Sequence, residues 1–204
     1  MFRKIGIITG STRPGRKSLA IAQWVQQHAQ QRTDADFDIV DIAEFKLPLL
    51  DEAIPSSAGQ YEHTHTQNWA AAIDSYDGYI FVAPEYGHSI SGALKNALDF
   101  VGPEWNDKAA GFVCYGAGEG VRAGEHLRLI AAELQMATVR AQVGLSLHSD
   151  FKNFETFSPV PLRNQQLDLM VEQVIRWSTA LARLREVERG DSLLGASSTR
   201  VASL

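Results

Sequence analysis

The segment Gly10-Ser11-Thr12-Arg13-Pro14-Gly15-Arg16-Lys17-Ser18 packs hydroxyl and guanidinium donors between an apolar run and a helical pattern. A strand-turn-helix of this kind aims several backbone N–H groups, and the positive end of the helix dipole, at one point, where the natural guest is a phosphate. Ser11 and Thr12 add hydroxyl donors, Ser18 suits a helix N-cap, and Arg13 and Arg16 offer two-pronged cationic donors. Gly10 and Gly15 also have the spacing of a nucleoside-triphosphate loop, but Arg16 intervenes before Lys17-Ser18 and Pro14 removes an N–H. A nucleotide triphosphatase therefore stands only as a minor alternative.

A second loop, Pro84-Glu85-Tyr86-Gly87-His88-Ser89-Ile90, leaves an apolar run at Gly78 to Ala83 and enters a helix that Ser91 caps, with Leu94, Leu98 and Val101 on one face. In open α/β sheets the carboxyl ends of strands are where ligands bind, and this turn suits the edge of a flat ring. A third loop, Tyr115-Gly116-Ala117-Gly118, allows a ligand to approach the backbone closely. Gly118-Glu119-Gly120-Val121-Arg122-Ala123 satisfies the dinucleotide pattern, yet follows the fourth strand, whereas that pattern normally opens the first. His63 and His65 at a helix start would lie about 200° apart around the axis, so they read as surface residues and not as a metal pair. His88 reads as a polar lining group. No Ser-His-Asp or Cys-His set assembles from the spacing, so no catalytic residue and no metal ligand is assigned.

The elements that must position these loops alternate, short apolar runs with longer stretches of helical spacing, which predicts a parallel sheet covered on both faces. Strands are expected at Lys4 to Thr9, Phe37 to Ile42, Gly78 to Ala83, Ala109 to Tyr115 and Thr138 to Leu145. The first helix starts near Ser18 and buries Ile21, Val25 and Ala29; the second spans Tyr61 to Tyr76; the fourth carries Leu127, Ile130 and Leu134 on one face. Pro161 opens a last helix expected to bury Leu167, Met170, Val174, Trp177, Leu181 and Leu184. Lys46 to Gly59 is too long for a plain connection and is either functional or mobile, and Ser146 to Val160 reads as a polar and aromatic loop. Five strands with intervening helices suit a flavodoxin-like doubly wound α/β sheet of five parallel strands, with the domain at 1–189 and a disordered tail at 190–204.

At 204 residues the chain fits one domain, and 45% hydrophobic with 21% charged residues is globular composition. A net charge of -5 argues against nucleic acid as partner, since phosphate-backbone binding needs clustered cations. No segment approaches the roughly 20 apolar residues of a membrane span, and the apolar run at the amino terminus is too short for a signal peptide. The single cysteine, Cys114, permits no intrachain disulfide and points to a reducing, cytoplasmic compartment.

The loops after the first, third and fourth strands would frame one crevice, with a phosphate seat at one end and ring-flanking backbone at the other, a description that fits flavin mononucleotide (FMN). These residues carry a resemblance to the NAD(P)H-dependent FMN reductases, a flavodoxin-like group that includes quinone, azo-dye and chromate reductases. The likeness covers about Lys4 to Leu184. It rests on Gly-Ser-Thr-Arg-Pro-Gly-Arg at Gly10 to Arg16, Leu-Pro-Leu-Leu-Asp-Glu at Leu47 to Glu52, Pro-Glu-Tyr at Pro84 to Tyr86, and Ala-Leu-Lys-Asn-Ala-Leu-Asp at Ala93 to Asp99. It implies that Ser11, Arg13, Arg16 and Ser18 hold the FMN phosphate, that Pro84, Glu85, Tyr86 and Gly87 flank the isoalloxazine, and that Tyr115, Gly116, Ala117 and Gly118 meet its pyrimidine edge. It further implies hydride transfer from NADPH or NADH, a small-molecule electron acceptor visiting the same pocket in turn, and a homodimer or dimer of dimers bordered by the third helix and the loop after strand two. Gly87 stands where many relatives carry asparagine, and Glu119 is expected near the pocket mouth, where it would disfavour anionic substrates. A non-enzymatic FMN electron carrier is the rival reading.

Overall fold

The computed structural model describes residues 2–198, with side chains described through Val187. Five strands, β1 (Arg3–Thr9), β2 (Ala35–Asp41), β3 (Gly78–Pro84), β4 (Ala109–Gly116) and β5 (Ala137–Ser146), form one sheet in the order β2-β1-β3-β4-β5 with every neighbour parallel. This is the flavodoxin-like order, and its reversal at β1 and β3 leaves a crevice at the carboxyl ends of those strands. Helices α1 (Ser18–Ala29), α2 (Thr64–Asp74), α3 (Gly92–Asp99), α4 (Val121–Glu133) and α5 (Leu162–Ser198) cover both faces. The loop from Ser146 folds into a small hairpin, β6 (Phe151–Lys152) with β7 (Thr156–Phe157). The expected tail from 190 overlaps the last turns of α5, and residues 199–204 lie outside the described residues.

Because side chains alternate along a strand, each strand feeds two cores. Phe81, Phe112 and Cys114 pack with Trp69, Ile73, Leu94, Leu98 and Leu127 under α2, α3 and α4, while Ile80, Val82, Val113 and Tyr115 pack with Ile21, Val25, Met170 and Val174 under α1 and α5. The expected burial of Leu167, Met170 and Val174 holds, but Trp177 is 47% and Leu184 51% exposed, and Leu181 is only half-buried. Val171, Ile175, Ser178 and Ala182 are buried instead. Met170, Trp177 and Leu184 repeat every seventh residue, and on a straight helix such a repeat drifts by about 20° per heptad, which turns its later members away from the sheet. Small residues replace them because α5 lies hard against strand glycines. A Cβ on Gly78 would stand 2.3 Å from Ser178 Oγ, and one on Gly111 would stand 2.7 Å from Val174 Cγ2.

The long segment after β2 is pinned at several points. Asn96 of α3 donates to Pro48 O (2.6 Å) and accepts from Leu50 N (3.0 Å), and the Glu52 carboxylate accepts from Glu62 N (2.9 Å) and His63 N (3.1 Å), capping α2 from a distance. Those amides hold the Glu52 carboxyl near pKa 2.

Gly78→Ala is expected to cost about 1–3 kcal/mol by overpacking the α5 contact. Chemical denaturation should show part of that loss restored in Gly78→Ala/Ser178→Ala, because the second change removes the nearest clashing atom; an undiminished loss in the pair would refute the account.

Candidate active site

The loop between β1 and α1 is fixed at its entry by backbone contact. Gly10 N donates to Val82 O (2.8 Å), and a Cβ on Gly10 would stand 2.8 Å from that oxygen. Ser91 caps α3 as expected, accepting from Leu94 N (3.0 Å), and the same hydroxyl donates to Gly10 O (2.5 Å), so the start of α3 is tied to the end of β1. Ser11 Oγ accepts from Arg13 N (3.3 Å) and sits 3.3 Å from Tyr86 Oη, which joins the first loop to the loop after β3.

Ser18 is not the N-cap of α1. Lys17 holds that position without a side-chain cap bond, and Ser18, the first helical residue, is fully buried. Its Oγ has no hydrogen-bond partner; neither have Tyr115 Oη and Arg16 Nε. Tyr115 lies beside Ser18, which with Arg13 partly offsets the upward push of burial on the phenol's pKa. The Tyr115 side chain thus passes beneath the first loop, leaving Gly116 to Gly118 as the part of that segment open to a ring edge. An unmet buried donor costs about 1–3 kcal/mol, and at the N-terminus of a helix the acceptor suited to such donors is a phosphate. On this test the residues fit the phosphate of FMN. Arg16 is otherwise held by Asp41 (2.5 Å), which also accepts from Thr9 Oγ1 (2.7 Å) and Ala43 N (3.1 Å). Arg13 is exposed and forms no ion pair among the described residues.

In the second loop, Tyr86 N donates to Ser89 O (2.9 Å) and Ser89 N to Tyr86 O (3.0 Å) around Gly87 (φ 53°) and His88 (φ 71°). Two consecutive positive φ values make this a type I′ turn, where glycine and asparagine are the favoured first residues. Nothing stands within 4 Å of a Cβ placed on Gly87, so the asparagine common in the resembled family would fit. Glu85 turns away from the crevice. Its N–H donates to Tyr115 O (2.9 Å), while its carboxylate pairs with the Arg122 guanidinium and accepts from Arg122 N (3.0 Å) and Ala123 N (3.4 Å). Burial pushes its pKa up, but these donors outweigh that and hold it below the usual value. The first turn of α4 is therefore occupied by an internal carboxylate, which closes the dinucleotide pattern at Gly118 to Ala123 to a ligand phosphate. Arg122 also donates to His88 Nδ1 (3.2 Å), leaving the imidazole's other nitrogen to carry its proton.

In the third loop Leu147 N supports Gly116 O (3.1 Å), while Ala117 N and Gly118 N meet no acceptor among the described residues. Glu119 does not stand free at the pocket mouth as expected. Arg163 Nη2 holds its carboxylate (2.7 Å), and Arg163 is in turn gripped by fully buried Asp150 (3.1 Å). Its charge is thus matched within the chain. His63 and His65, expected on different faces, stack with ring centroids 5.2 Å apart because His63 is the extended N-cap of α2 and lies outside the helical period; His65 Nε2 sits 3.0 Å from Asp51 Oδ1. Among the described residues no group of three metal-ligating side chains suits an ion.

Asp41, Arg122 and Asn96 shape the site without having been singled out from the sequence. Asn96 carried a signal through the quoted Ala93 to Asp99 motif and Arg122 through the Gly118 to Ala123 pattern, while Asp41 carried none.

The sequence pattern described as NADPH-dependent FMN reductase matches residues 3–150. An NAD(P)H-dependent FMN reductase of Nectria sp. is 39% identical over 130 residues, 61% of this chain and 65% of the relative, just under two thirds of its length. Another of Schizosaccharomyces pombe is 34% identical over 149 residues, 72% and 74% of the two chains. An FMN-dependent NADPH-azoreductase of Staphylococcus saprophyticus is 29% identical over 177 residues, 83% and 92%. Among solved structures, the flavoenzyme NAD(P)H:(acceptor) oxidoreductase from Paracoccus denitrificans superposes with TM-score 0.67 at 16% identity over 85% of this chain and 98% of the other, a likeness of fold.

Glu85→Gln is expected to lose about 1–3 kcal/mol, the worth of charge-assisted bonds to the α4 terminus. The stability contributed by Glu85 is present above its ordinary value of 4.5 and is lost as pH falls through the depressed folded value. Thermal melts should therefore show the wild-type advantage at pH 7 closing as pH falls below about 4.5; a gap independent of pH would contradict the ionic cap.

Proposed function

The chain belongs to the NADPH-dependent FMN reductase family, and from that membership we propose an enzyme that takes hydride from NADPH or NADH and passes electrons to a free flavin, quinone, azo compound or metal oxyanion in turn. The observation that carries the reading is the set of unmet buried donors under a helix N-terminus, Ser18 Oγ, Tyr115 Oη and Arg16 Nε, at the end of the strand beside the ring-suited loop.

FMN, when bound, supplies the hydride-accepting and electron-donating chemistry. The chain's own work is placement. Arg13 and the donors beneath the β1 loop hold the phosphate, and the type I′ turn at Gly87-His88 presents backbone to one side of the ring. Ala117 N and Gly118 N, both without an internal acceptor among the described residues, would supply backbone donors to the pyrimidine edge of a bound flavin. No side chain is required as acid or base. The α4 terminus is filled by Glu85, so no second nucleotide-phosphate seat of that type remains, and reductant and acceptor share one crevice. A homodimer is part of the proposal: Leu49 is 85% and Leu50 48% exposed on a segment that Asn96 clamps in place. No helix among the described residues is long and apolar enough to cross a membrane, and the lone buried thiol of Cys114 suits a cytoplasmic site.

Purified protein should bind FMN, and NADPH under anaerobic conditions should bleach the yellow colour; a yellow protein that NADPH leaves unbleached would be an electron carrier instead. Arg13→Ala should weaken FMN by about 1.5–3 kcal/mol, the range for a hydrogen bond to a charged group, while leaving riboflavin affinity unchanged.

Steady-state rates with NADPH and a simple quinone should give parallel double-reciprocal lines. Intersecting lines would mean a ternary complex and would rule out the shared crevice.

A further inference from the structure

A cavity of about 350 Å³ opens beside the β1 loop, on the side facing β2, sharing Thr12 with the phosphate loop and no residue with the ring loop. Its walls come from three elements: Thr12 of the β1 loop, Ile42, Lys46 and Leu47 after β2, and Ala93 and Asn96 of α3. The volume lies within the range of about 300–1,000 Å³ typical of small-molecule sites. Asn96, through its bonds to Pro48 O (2.6 Å) and Leu50 N (3.0 Å), fixes the chain that continues from the Leu47 wall. The lining mixes apolar Ile42, Leu47 and Ala93 with polar Thr12, the exposed Lys46 and this already committed amide.

We propose that this cavity seats the phosphorylated adenosine end of NADPH, with Lys46 meeting the 2′-phosphate. The proposal rests on the NAD(P)H-dependent reading above and names the part of the reductant that this cavity selects. Elimination among the cations carries it. Around the loops that follow β1 to β4, Arg16 is committed to Asp41, Arg122 to Glu85, Lys95 to Asp99, and Lys17 donates to Glu155 O. Arg13 and Lys46 alone among these make no side-chain hydrogen bond or ion pair, and Arg13 belongs to the flavin phosphate seat. Lys46 sits at φ 49°, a left-handed conformation unfavourable for a non-glycine residue and one that persists at ligand sites more than elsewhere. A ligand for this cavity must carry an anion for Lys46 and an apolar body for Ile42, Leu47 and Ala93. The adenosine 2′-phosphate is the one group that distinguishes NADPH from NADH, and it has both parts.

The test uses the FMN-loaded full chain, its Lys46→Gln variant and its Lys46→Arg variant. Calorimetric titration with adenosine 2′,5′-bisphosphate and with 5′-AMP reads the cavity without turnover. The wild type should prefer the bisphosphate, Lys46→Gln should lose that preference by about ten-fold, and Lys46→Arg should keep most of it. In parallel, the ratio of kcat/KM for NADPH over NADH should fall by about ten-fold in Lys46→Gln. Equal binding of the two probes by the wild type, or an unchanged preference in Lys46→Gln, overturns the proposal. Failure of the wild type to oxidise either nucleotide would instead sink the reductase reading, and the titration would then decide the cavity by itself.

Discussion

Glu85 joins two loops and a helix that no local rule would hold in one geometry. Its N–H donates to Tyr115 O (2.9 Å), and its carboxylate accepts from the first-turn amides of α4 and pairs with Arg122. Gly120, the N-cap residue of α4, has no side chain to satisfy those amides, so the cap must arrive from β3. Gly116 lets the loops close, since a Cβ there would stand 3.2 Å from Glu85 Cβ. The next residue, Tyr86, reaches Ser11 Oγ (3.3 Å), and the loops of all three strands are thereby coupled before any ligand arrives. Preorganisation of this kind lowers the cost of ordering loops on binding.

The same logic of internal pairing sorts the charges. The protein is acidic overall, at -5, yet the rim of the crevice is rich in cations. Most are consumed by carboxylates of the chain: Arg16 by Asp41, Arg122 by Glu85, and Arg163 by Asp150 and Glu119. Each pair fixes a loop and matches a charge within the chain, leaving the buried Nε of Arg16 without a partner. A count of basic residues in the sequence therefore overstates the cations at the site, and the unpaired ones, Arg13 and Lys46, matter more than their number.

Close packing sets the limits on the other face. α5 approaches the sheet through Gly78, Gly111 and Ser178, and that depth selects small residues over Trp177 and Leu184 for the buried stripe. It also brings Arg163 to the loop after β4, where it takes up Glu119. An acidic residue that looked like a filter for anionic substrates is thus a structural partner of the last helix.

The sequence by itself determined the strand positions, the parallel sheet, the Ser91 cap and the location of the three loops, because each is written in residues adjacent along the chain: alternation, helical period, a turn glycine, a capping hydroxyl. It also singled out Gly10 to Ser18 as a candidate phosphate seat. Tertiary structure alone decided what the individual side chains do there. Ser18 lies against Tyr115, Arg16 against Asp41, Glu85 against Arg122, and His63 over His65 through a break in the helical period that spacing arithmetic presumed continuous. Apart from that last pair, these contacts join residues far apart in sequence, whose proximity follows from strand order and helix depth. No local period records them, so a side chain's partner, and with it the charge left for a ligand, exists only once the chain has folded.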